Sequence, residues 1–475
     1  MKALFAASEI FPFAKTGGLA DVAHALPRAL SKQLEIISVM PLYGFMQSAS
    51  LSRDELSFSV TLGSIEYDIA LYTAENQGVK TYFIQAPLLS ATQGLYGDEN
   101  GEYANNDLRF GIFCAAIVEL AAALQIDIVH LNDWHTALAA LFIKERSLDI
   151  KSLFTIHNLA YQGIFEASSL QRLGIDSRYF HMDGIEFYGA LNCMKAGIAY
   201  SDRVTTVSPR YAEEILTAEF GCGLEGFLQH HAAKLSGVLN GIDTEYFDPS
   251  SDTALASGFD AHNLDLKYCN KKALLKEAGL KDPRVPLFVM ISRLAHQKGF
   301  DLLLEALKPM LKKRLNILIL VEGVNHYRTA LEKIAEKHGN LCLFFGYNEA
   351  LSHRIYAGGD FLLMPSLFEP CGLNQMIAMR YGTVPVVHSV GGLFDTVHED
   401  SETCGTGIVF LRPTKKALLN AVERALSLKS DVQKMEKTIR FNMACDFSFE
   451  KSAKAYIGLY RELQQGSLTI KDYNG

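Results

Sequence analysis

The sequence predicts an α/β protein built from two doubly wound sheets. Short apolar runs alternate with helical patterns along the whole chain, as in parallel α/β folds. Many of these runs are continuously apolar, which is typical of parallel strands covered on both faces. So many strands fit two sheets better than one. The strand candidates are residues 35–40, 81–85, 126–131, 153–156, 203–207, 287–291, 316–321, 361–364 and 384–388.

The composition is that of a folded globular protein. The chain has 475 residues, of which 49% are hydrophobic and 21% are charged. At about 150 residues per domain, this length predicts two or three domains. The net charge of −8 argues against a general nucleic-acid-binding protein, which would carry a basic excess. An anionic ligand would therefore have to be bound by a few placed cations.

Cysteine spacing and hydropathy predict a cytoplasmic protein. None of the eight cysteines forms a C-x-x-C pair, so reduced thiols are expected. The first apolar stretch, residues 3–7, is too short for a signal-peptide core. The longest apolar segment, residues 111–124, contains Glu119 and predicts a buried helix rather than a membrane span.

A domain boundary is predicted near Asp243. Residues 248–258 are polar and rich in turn-forming residues, with no strand pattern. The last helix, residues 449–464, has an apolar face at Tyr456, Ile457, Leu459, Tyr460 and Leu463. This amphipathic helix must pack against another element of the protein.

The segment KTGGLADV, residues 15–22, connects a short apolar run to a helix. Lys15, Gly17 and Gly18 precede a helical pattern whose apolar face includes Leu19 and Leu26. A helix start with nearby glycines and a lysine can bind an anion such as phosphate. A tight turn with a solvated lysine explains the same residues equally well. This segment is not the dinucleotide motif G-x-G-x-x-G, and the Walker motif G-x-x-x-x-G-K-[ST] is absent from the chain.

Polar residues follow two further strands of the first half. HLNDWHTAL contains His130, Asp133 and His135, and the next strand is followed by His157. The carboxyl ends of strands are where open α/β sheets bind ligands. A metal site at the first three residues is an alternative, but no H-E-x-x-H frame accompanies them. A histidine satisfied within the core is the alternative for His157.

The second half carries two segments suited to a diphosphate and a sugar. Arg293 and Lys298 follow a strand within SRLAHQKGFDLL, and two cations at a strand end suit a diphosphate. In FEPCGLNQ, Glu369 precedes a helix that we predict to open at residues 371–373. This carboxylate could face a developing positive charge, or it could cap the helix.

Together these motifs resemble bacterial glycogen synthases and plant starch synthases, the glycosyltransferase family GT5. The resemblance rests on KTGGLADV, HLNDWHTAL, FTIHNLAYQG, VTTVSPRYAEEI, EFGCGLEG, LNGIDT, SRLAHQKGFDLL, GYNEALSHRIYAGGD and FEPCGLNQ, in order along nearly the whole chain. It implies a GT-B fold, with two Rossmann-like domains facing a deep inter-domain cleft. The implied domains are residues 1–242, with a helix at about 450–475 packing back on them, and residues 243–449.

The resemblance also implies the reaction. Family members transfer glucose from ADP-glucose to the non-reducing end of an α-1,4-glucan, such as glycogen or a malto-oligosaccharide, with retention at the anomeric carbon. They need no metal and no cofactor, and neither nucleic acid nor a membrane is an expected partner. An NAD-dependent oxidoreductase and a catalytically silent glucan-binding protein are the alternatives from other classes.

Site residues carry over from the family motifs position by position. The implied catalytic residues are Glu369 near the glucosyl ring, Arg293 and Lys298 on the diphosphate, and His157 at the reacting centre. The implied substrate-binding residues are Lys15, Gly17, Gly18, Asp21 and Tyr96 at the donor site, Asp133 and Asn240 on the sugars, Gly346 and Tyr347 at the adenine, and Cys371, Gly372 and Leu373 on sugar and phosphate.

The sequence departs from the family pattern at five places. Leu367 stands where a basic residue is usual, Asn374 replaces a threonine, and residues 321–325 replace a G-x-G-D loop. Phe247 replaces a tryptophan and His388 an arginine. These changes leave open a preference for UDP-glucose, or a weakened homologue that still binds glucan.

Overall fold

The structure is a computed structural model that describes residues 1–46, 50–99, 101–399 and 407–465. Two compact units emerge from it. The first contains Met1–Asn240 and the helix that begins at Phe449, and the second is Gly241–Ser448. Residues 466–475 of the predicted last helix, and Cys404, lie outside the described ranges.

The strands of the described chain are numbered in chain order. They are β1 (Lys2–Ala6), β2 (Glu35–Pro41), β3 (Ser52–Leu62), β4 (Ile65–Asn76), β5 (Val79–Gln85), β6 (Gly97–Asp98), β7 (Gly101–Glu102), β8 (Ile128–Asn132), β9 (Lys151–Ile156), β10 (Ile164–Glu166), β11 (Glu186–Phe187), β12 (Ala190–Asn192), β13 (Arg203–Thr206), β14 (Leu235–Gly237), β15 (Leu287–Arg293), β16 (Asn316–Glu322), β17 (Leu341–Phe345), β18 (Phe361–Met364), β19 (Val384–His388) and β20 (Ile408–Phe410). Every strand predicted from the sequence is present, with ends that differ by a few residues.

The helices are numbered in the same way. They are α1 (Gly18–Ser31), α2 (Pro87–Ser90), α3 (Asn106–Ala123), α4 (Trp134–Glu145), α5 (Ser169–Leu173), α6 (Cys193–Tyr200), α7 (Pro209–Glu214), α8 (Glu225–His230), α9 (Leu264–Glu277), α10 (Phe300–Leu311), α11 (His326–Ala335), α12 (Glu349–Gly358), α13 (Asn374–Arg380), α14 (Gly391–Thr396), α15 (Lys415–Ser430), α16 (Val432–Ala444) and α17 (Phe449–Gln465). Within the described ranges, no helix is long and apolar enough to cross a membrane.

The first unit contains a nine-stranded sheet in the order β14-β13-β9-β8-β1-β2-β5-β4-β3. The strands from β14 to β5 pair in parallel. β3 and β4 form an antiparallel hairpin that extends the sheet beyond β5. The sequence analysis missed this hairpin because its strands are half exposed and lack a continuous apolar run.

The second unit contains a six-stranded parallel sheet in the order β17-β16-β15-β18-β19-β20. From β15 the chain adds β16 and β17 on one side, and it then returns to add β18, β19 and β20 on the other side of β15. The first sheet reverses in the same way between β1 and β8. Both are therefore doubly wound, and ligands bind such sheets at the carboxyl ends of the strands where the order reverses.

The last helix belongs to the core of the first unit. Tyr456, Ile457 and Tyr460 of α17 are buried in the same apolar cluster as Leu26 and Leu30 of α1. On the exposed side, Lys32 Nζ lies 2.6 Å from Glu450 Oε1. The apolar face predicted for this helix thus packs against α1 of the first unit.

Candidate active site

Polar groups from three strands meet at the switch point of the first sheet. β1 pairs with β8 and β8 pairs with β9, all in parallel, so their carboxyl ends lie at one edge. The loop after β1 carries Glu9 and Lys15, Asp133 follows β8, and His157 follows β9. Three of the predicted residues, Lys15, Asp133 and His157, therefore lie at the edge where a doubly wound sheet binds its ligand.

The loop before α1 is organised by two carboxylates. Lys15 Nζ lies 2.7 Å from Asp21 Oδ1. The backbone N–H and the hydroxyl of Thr16 both donate to Glu9 Oε2, over 2.6 and 2.7 Å. Gly17 is the N-cap of α1 and supplies no side-chain hydrogen bond. The Glu9 carboxylate also accepts from the backbone N–H of Ala20 in the first turn of α1, so one donor of this helix start, next to Lys15, is already bound by a carboxylate.

Glu9 is a functional candidate that the sequence analysis missed. It is 2% exposed, and burial raises its pKa to about 7 although Thr16 donates two hydrogen bonds to it. The charges of Asp21 and Asp133 interact with it. Buried groups with perturbed pKa values concentrate at functional sites. The signal in the sequence was an acid placed three residues after the apolar strand β1.

Asp133 has an unusual backbone conformation for a residue with a side chain. Its φ is +57°, a region that costs a non-glycine residue about 1–3 kcal/mol. Its carboxylate does not cap α4 and instead accepts a 2.7 Å hydrogen bond from His157 N. Burial raises the pKa of Asp133 to about 7. The strained residue therefore links the loops that follow β8 and β9.

The ring of His157 is neutral with a defined tautomer. Burial lowers its pKa to about 3. Its Nε2 lies 2.9 Å from Asn132 Oδ1, and Asn132 Nδ2 donates to Ala6 O. Because the amide oxygen can only accept, Nε2 of His157 carries the proton. Nδ1 of the neutral ring is left as a hydrogen-bond acceptor.

Two further predicted residues of the first unit lie in different surroundings. The hydroxyl of Tyr96 is 2.8 Å from Ser8 Oγ, and its ring stacks on His135 with centroids 4.5 Å apart. Tyr96 is thereby tied to the loop after β1. Asn240, the last residue of this part of the unit, is 4% exposed, and its Oδ1 accepts no hydrogen bond from the described residues.

The three residues considered for a metal site have other partners. His130 lies inside β8, fully buried, with hydrogen bonds of 2.7 Å to both Tyr460 Oη and Thr155 Oγ1. His135 stacks on Trp134, with centroids 4.1 Å apart. In the described part of the chain, no group of three or more His, Cys, Asp or Glu side chains is arranged to hold a metal ion.

The predicted residues of the second unit lie along the equivalent edge of its sheet. Arg293 ends β15, and Glu369 belongs to the loop after the neighbouring strand β18. Gly346 and Tyr347 follow β17, two strands away on the other side. Arg293 and Tyr347 are exposed, and the structure places no described acidic side chain in an ion pair with Arg293. This guanidinium is available to an anion.

Lys298 and Glu369 form an ion pair. Lys298 Nζ donates to both carboxylate oxygens of Glu369, over 2.9 and 2.6 Å. Ser366 Oγ donates to the same carboxylate over 3.0 Å. Gly299 makes this possible, because its φ is +74° and a Cβ there would stand 2.0 Å from Pro365 O. The two loops are therefore in direct backbone contact.

The loop after β18 differs from the prediction in where its helix starts. α13 begins at Asn374 with Leu373 as its N-cap, not at Cys371 as predicted. No side chain caps this helix, so Glu369 is not its capping acid. Gly372 has a φ of +71°, and this left-handed residue turns the chain away from the helix direction.

The comparisons with known proteins cover almost the whole chain. Residues 2–230 match the family described as starch synthase catalytic domain, and residues 271–441 match glycosyl transferases group 1. The chain is 42% identical over 468 residues to the glycogen synthase of Aquifex aeolicus, covering 98% of this chain and 99% of that protein. It is 41% identical over 479 residues to the glycogen synthase of Anaeromyxobacter dehalogenans, covering 98% and 100%.

The chain belongs to the glycogen and starch synthase family. A solved structure of the same family, the catalytic domain of starch synthase IV from Arabidopsis thaliana bound to ADP and acarbose, superposes with a TM-score of 0.90. Its sequence identity is 34%, over 98% of this chain and 99% of that one. The resemblance found in the sequence and the GT-B fold class are thereby confirmed. A sucrose-phosphate synthase from Thermosynechococcus elongatus shares the fold, with a TM-score of 0.63 at 17% identity and with 98% and 100% of the two chains covered.

Two departures from the pattern of glycogen and starch synthases anchor the loops of the second unit. Asn374 Nδ2 donates to Ile291 O over 2.9 Å, which ties α13 to β15. His388 Nδ1 lies 2.7 Å from Ser366 O, and because a carbonyl only accepts, the ring donates. Both substituted residues therefore hold backbone at the sheet edge, and His388 does so where the family pattern has a charged arginine.

Proposed function

We propose that this chain transfers glucose from ADP-glucose to the non-reducing end of an α-1,4-glucan, with retention at the anomeric carbon. The observation that carries the proposal is its full-length similarity to glycogen synthases, which includes both sheet edges described above. Its substrates would be ADP-glucose and glucans such as glycogen, without a metal or cofactor. The described cysteines are free thiols, which supports a reducing cytoplasm as the location.

The two domains contribute different groups to the reaction in this proposal. Residues 243–449 bind the nucleotide sugar, with Gly346 and Tyr347 at the adenine. Residues 1–242, with α17, carry the acceptor side and the loop of Lys15, Gly17, Gly18 and Asp21. Tyr96, Asp133 and Asn240 contact the sugars or the donor.

Departure of ADP requires stabilisation of negative charge. The bond between C1 of the glucose and the diphosphate oxygen breaks, and its electron pair goes to the diphosphate. Arg293, Lys298 and Lys15 stabilise that growing charge, Arg293 through a fork of donors. Lys298 is paired with Glu369, so a diphosphate competes with this carboxylate for the ammonium group. The backbone of Cys371, Gly372 and Leu373 meets the sugar and phosphate.

The glucosyl group becomes positive at C1 as ADP leaves. Glu369 and the backbone carbonyl of His157 stabilise this charge, and Nδ1 of the His157 ring accepts from a sugar hydroxyl. The acceptor hydroxyl attacks C1 on the face that ADP leaves, and its proton passes to the departing phosphate oxygen. Glu369 is paired with a lysine rather than with a second carboxylate, which favours this front-face transfer over the double displacement of retaining glycosidases.

UDP-glucose is the second candidate donor. The observation that favours it is the departure of residues 321–325, beside the predicted nucleotide site, from the family pattern. Gly323 has a φ of +117° in this segment and Val324 is 86% exposed. Leu367 and Asn374 change the same edge of the sheet. A change of donor nucleotide would alter these loops without altering the reaction.

The experiment that tests the proposal supplies glycogen with either ADP-glucose or UDP-glucose. Nucleotide release and chain growth are measured together. We expect both signals with ADP-glucose, and consumption of neither donor would refute the proposal. A higher kcat/KM with UDP-glucose would replace the donor and leave the reaction class in place.

A pair of variants on either side of β18 tests the catalytic role of Glu369. Glu369→Ala should lower kcat by at least about a hundredfold, since it removes charge stabilisation at the reacting carbon. Asp360→Asn is the matched control, because Asp360 is also buried and paired with a lysine, Lys271 at 2.6 Å, but precedes β18 instead of following it. We expect Asp360→Asn to lose stability and to keep kcat per folded molecule. Near-normal turnover of Glu369→Ala would remove it from the catalytic residues.

A further inference from the structure

Gln375 is a fully buried residue that holds the backbone of the loop after β18. Its Nε2 donates to Cys371 O over 3.1 Å and to Gly372 O over 2.9 Å. It also donates to Thr396 Oγ1 over 3.1 Å, and that hydroxyl donates in turn to Gly392 O. All three neighbours of the amide nitrogen therefore act as acceptors. The chemistry of these partners decides the orientation of the amide, because a flipped side chain would place Oε1 against three acceptors.

The orientation of those two carbonyl groups determines where two N–H groups point. A trans peptide unit is planar, with its C=O and its N–H on opposite sides. The carbonyl of Cys371 shares a peptide with Gly372 N–H, and the carbonyl of Gly372 shares one with Leu373 N–H. With both carbonyls bound to Gln375, the two N–H groups point away from it. Neither has an acceptor among the described residues of the chain.

The packing of Gln375 against Gly372 is close. Oε1 of Gln375 is buried without a hydrogen-bond partner in the described chain. A Cβ at Gly372 would stand 2.6 Å from that oxygen, and the φ of Gly372 is +71°. Successive N–H groups around such a left-handed residue form a concave donor site for anions. The amide thus supports this donor site from behind.

We propose that Gln375 is a positioning residue for the nucleotide sugar. It aims the N–H groups of Gly372 and Leu373 at the diphosphate and the glucosyl group without touching either. This inference rests on the proposed function, because the loop binds a sugar diphosphate only if the chain uses such a donor. The anion recognised is the diphosphate of that donor.

The test compares Gln375→Met with a control at another buried amide. Methionine has a similar length and no donor, so both carbonyls are released. We expect the KM for ADP-glucose and the Kd for ADP, measured by calorimetry, to rise at least tenfold, while the KM for glycogen stays within twofold. The control is Asn270→Leu. Asn270 is a buried amide elsewhere in the same unit that donates to Ser257 O and Leu266 O, and the variant removes both hydrogen bonds. This variant should lose stability and keep the KM for ADP-glucose.

A second variant keeps the test decisive if Gln375→Met does not fold. Gln375→Glu retains the size of the side chain but sets carboxylate oxygens against two carbonyls. A protonated carboxyl donates one hydrogen bond, so the affinity of this variant for ADP should improve as the pH falls from 8 to 6, relative to the wild type. A purely structural role predicts parallel pH profiles.

The outcomes separate this inference from the proposed function. A wild-type protein that consumes no sugar nucleotide refutes the proposed function. An active wild type together with an unchanged Gln375→Met variant refutes only the positioning role. Equal losses of ADP affinity in Gln375→Met and Asn270→Leu also refute it, because the effect would then follow from stability alone.

Discussion

Replacing Lys298 by methionine should destabilise the second unit as well as impair catalysis. Lys298 donates to both oxygens of the Glu369 carboxylate. The carboxylate is 5% exposed, and without the lysine its remaining side-chain donor is Ser366 Oγ. The variant therefore leaves a charge in a poorly solvated position with one hydrogen bond in place of three.

The magnitude follows from the burial of the two partners. Breaking a fully buried ion pair by removing one partner costs about 3–5 kcal/mol. The Lys298 side chain is 20% exposed and Ser366 stays bonded, so we expect a loss of about 2–3 kcal/mol in the free energy of unfolding. Adding Glu369→Gln removes the stranded charge. The double variant should therefore recover most of the loss, to within about 1 kcal/mol of the wild type.

The assay must resolve the two units, because a two-unit chain need not unfold in one step. The single tryptophan, Trp134, lies in the first unit, so its fluorescence follows that unit during urea unfolding. Circular dichroism follows both units. Lys298→Met should lower the circular-dichroism midpoint and leave the fluorescence midpoint in place.

A surface lysine provides the control. Lys313 pairs with Glu423 at 2.7 Å in the same unit, with side chains 30% and 59% exposed. Such a pair contributes under about 1 kcal/mol, so Lys313→Met should change the midpoint little. The reasoning would be refuted if Lys298→Met were as stable as Lys313→Met. It would also be refuted if the double variant were no more stable than Lys298→Met alone.

The remaining predictions concern the first unit and the metal. The pKa of Glu9 is raised from 4.5 to about 7 in the folded protein, so protonated Glu9 stabilises the fold below pH 4.5 and this stabilisation is lost as the pH rises through 7. Between pH 5 and 8 the free energy of unfolding of the wild type should fall by up to about 3 kcal/mol, whereas that of Glu9→Gln should not show this fall. Parallel curves of stability against pH for the two proteins would contradict this. Lys15→Gln should raise the KM for ADP-glucose without lowering the melting temperature, since its partly exposed pair with Asp21 contributes about 0–1 kcal/mol; wild-type kinetics would reduce this loop to a simple turn. Tyr460→Phe should cost about 1–3 kcal/mol in chemical unfolding because it leaves a ring nitrogen of buried His130 unpaired, and an unchanged midpoint would count against that bond. Turnover should be unchanged in EDTA, and loss of activity that added zinc or magnesium restores would revive the metal alternative.

Residues close in the chain were the easiest part of the site to predict. The turn of Lys15, Gly17 and Gly18 before α1 could be read from the sequence because loop, glycines and helix are contiguous. The strands could be predicted for the same reason, because an apolar run between two turns is contiguous in the sequence and indicates a buried strand by itself. The hairpin of β3 and β4 was missed because it has one exposed face.

Residues distant in the chain required the tertiary structure. Lys298 and Glu369 are separated by 71 positions, and nothing in either segment shows that they pair. The pairing follows from the parallel contact of β15 with β18 and from a glycine at 299 that admits Pro365 O. Similarly, no local pattern shows that Glu9 is desolvated enough to hold a proton near neutral pH.

The fold class, most of the strands and the family could be inferred from the sequence alone, because these depend on periodicity and on contiguous motifs. The packed fold was needed to show which charges are neutralised, which nitrogen of His157 accepts a hydrogen bond, and that Gln375 holds the loop of Gly372. These properties depend on burial and on distances of about 3 Å between atoms. Such distances are set when sheets and helices pack, by residues that are far apart along the chain.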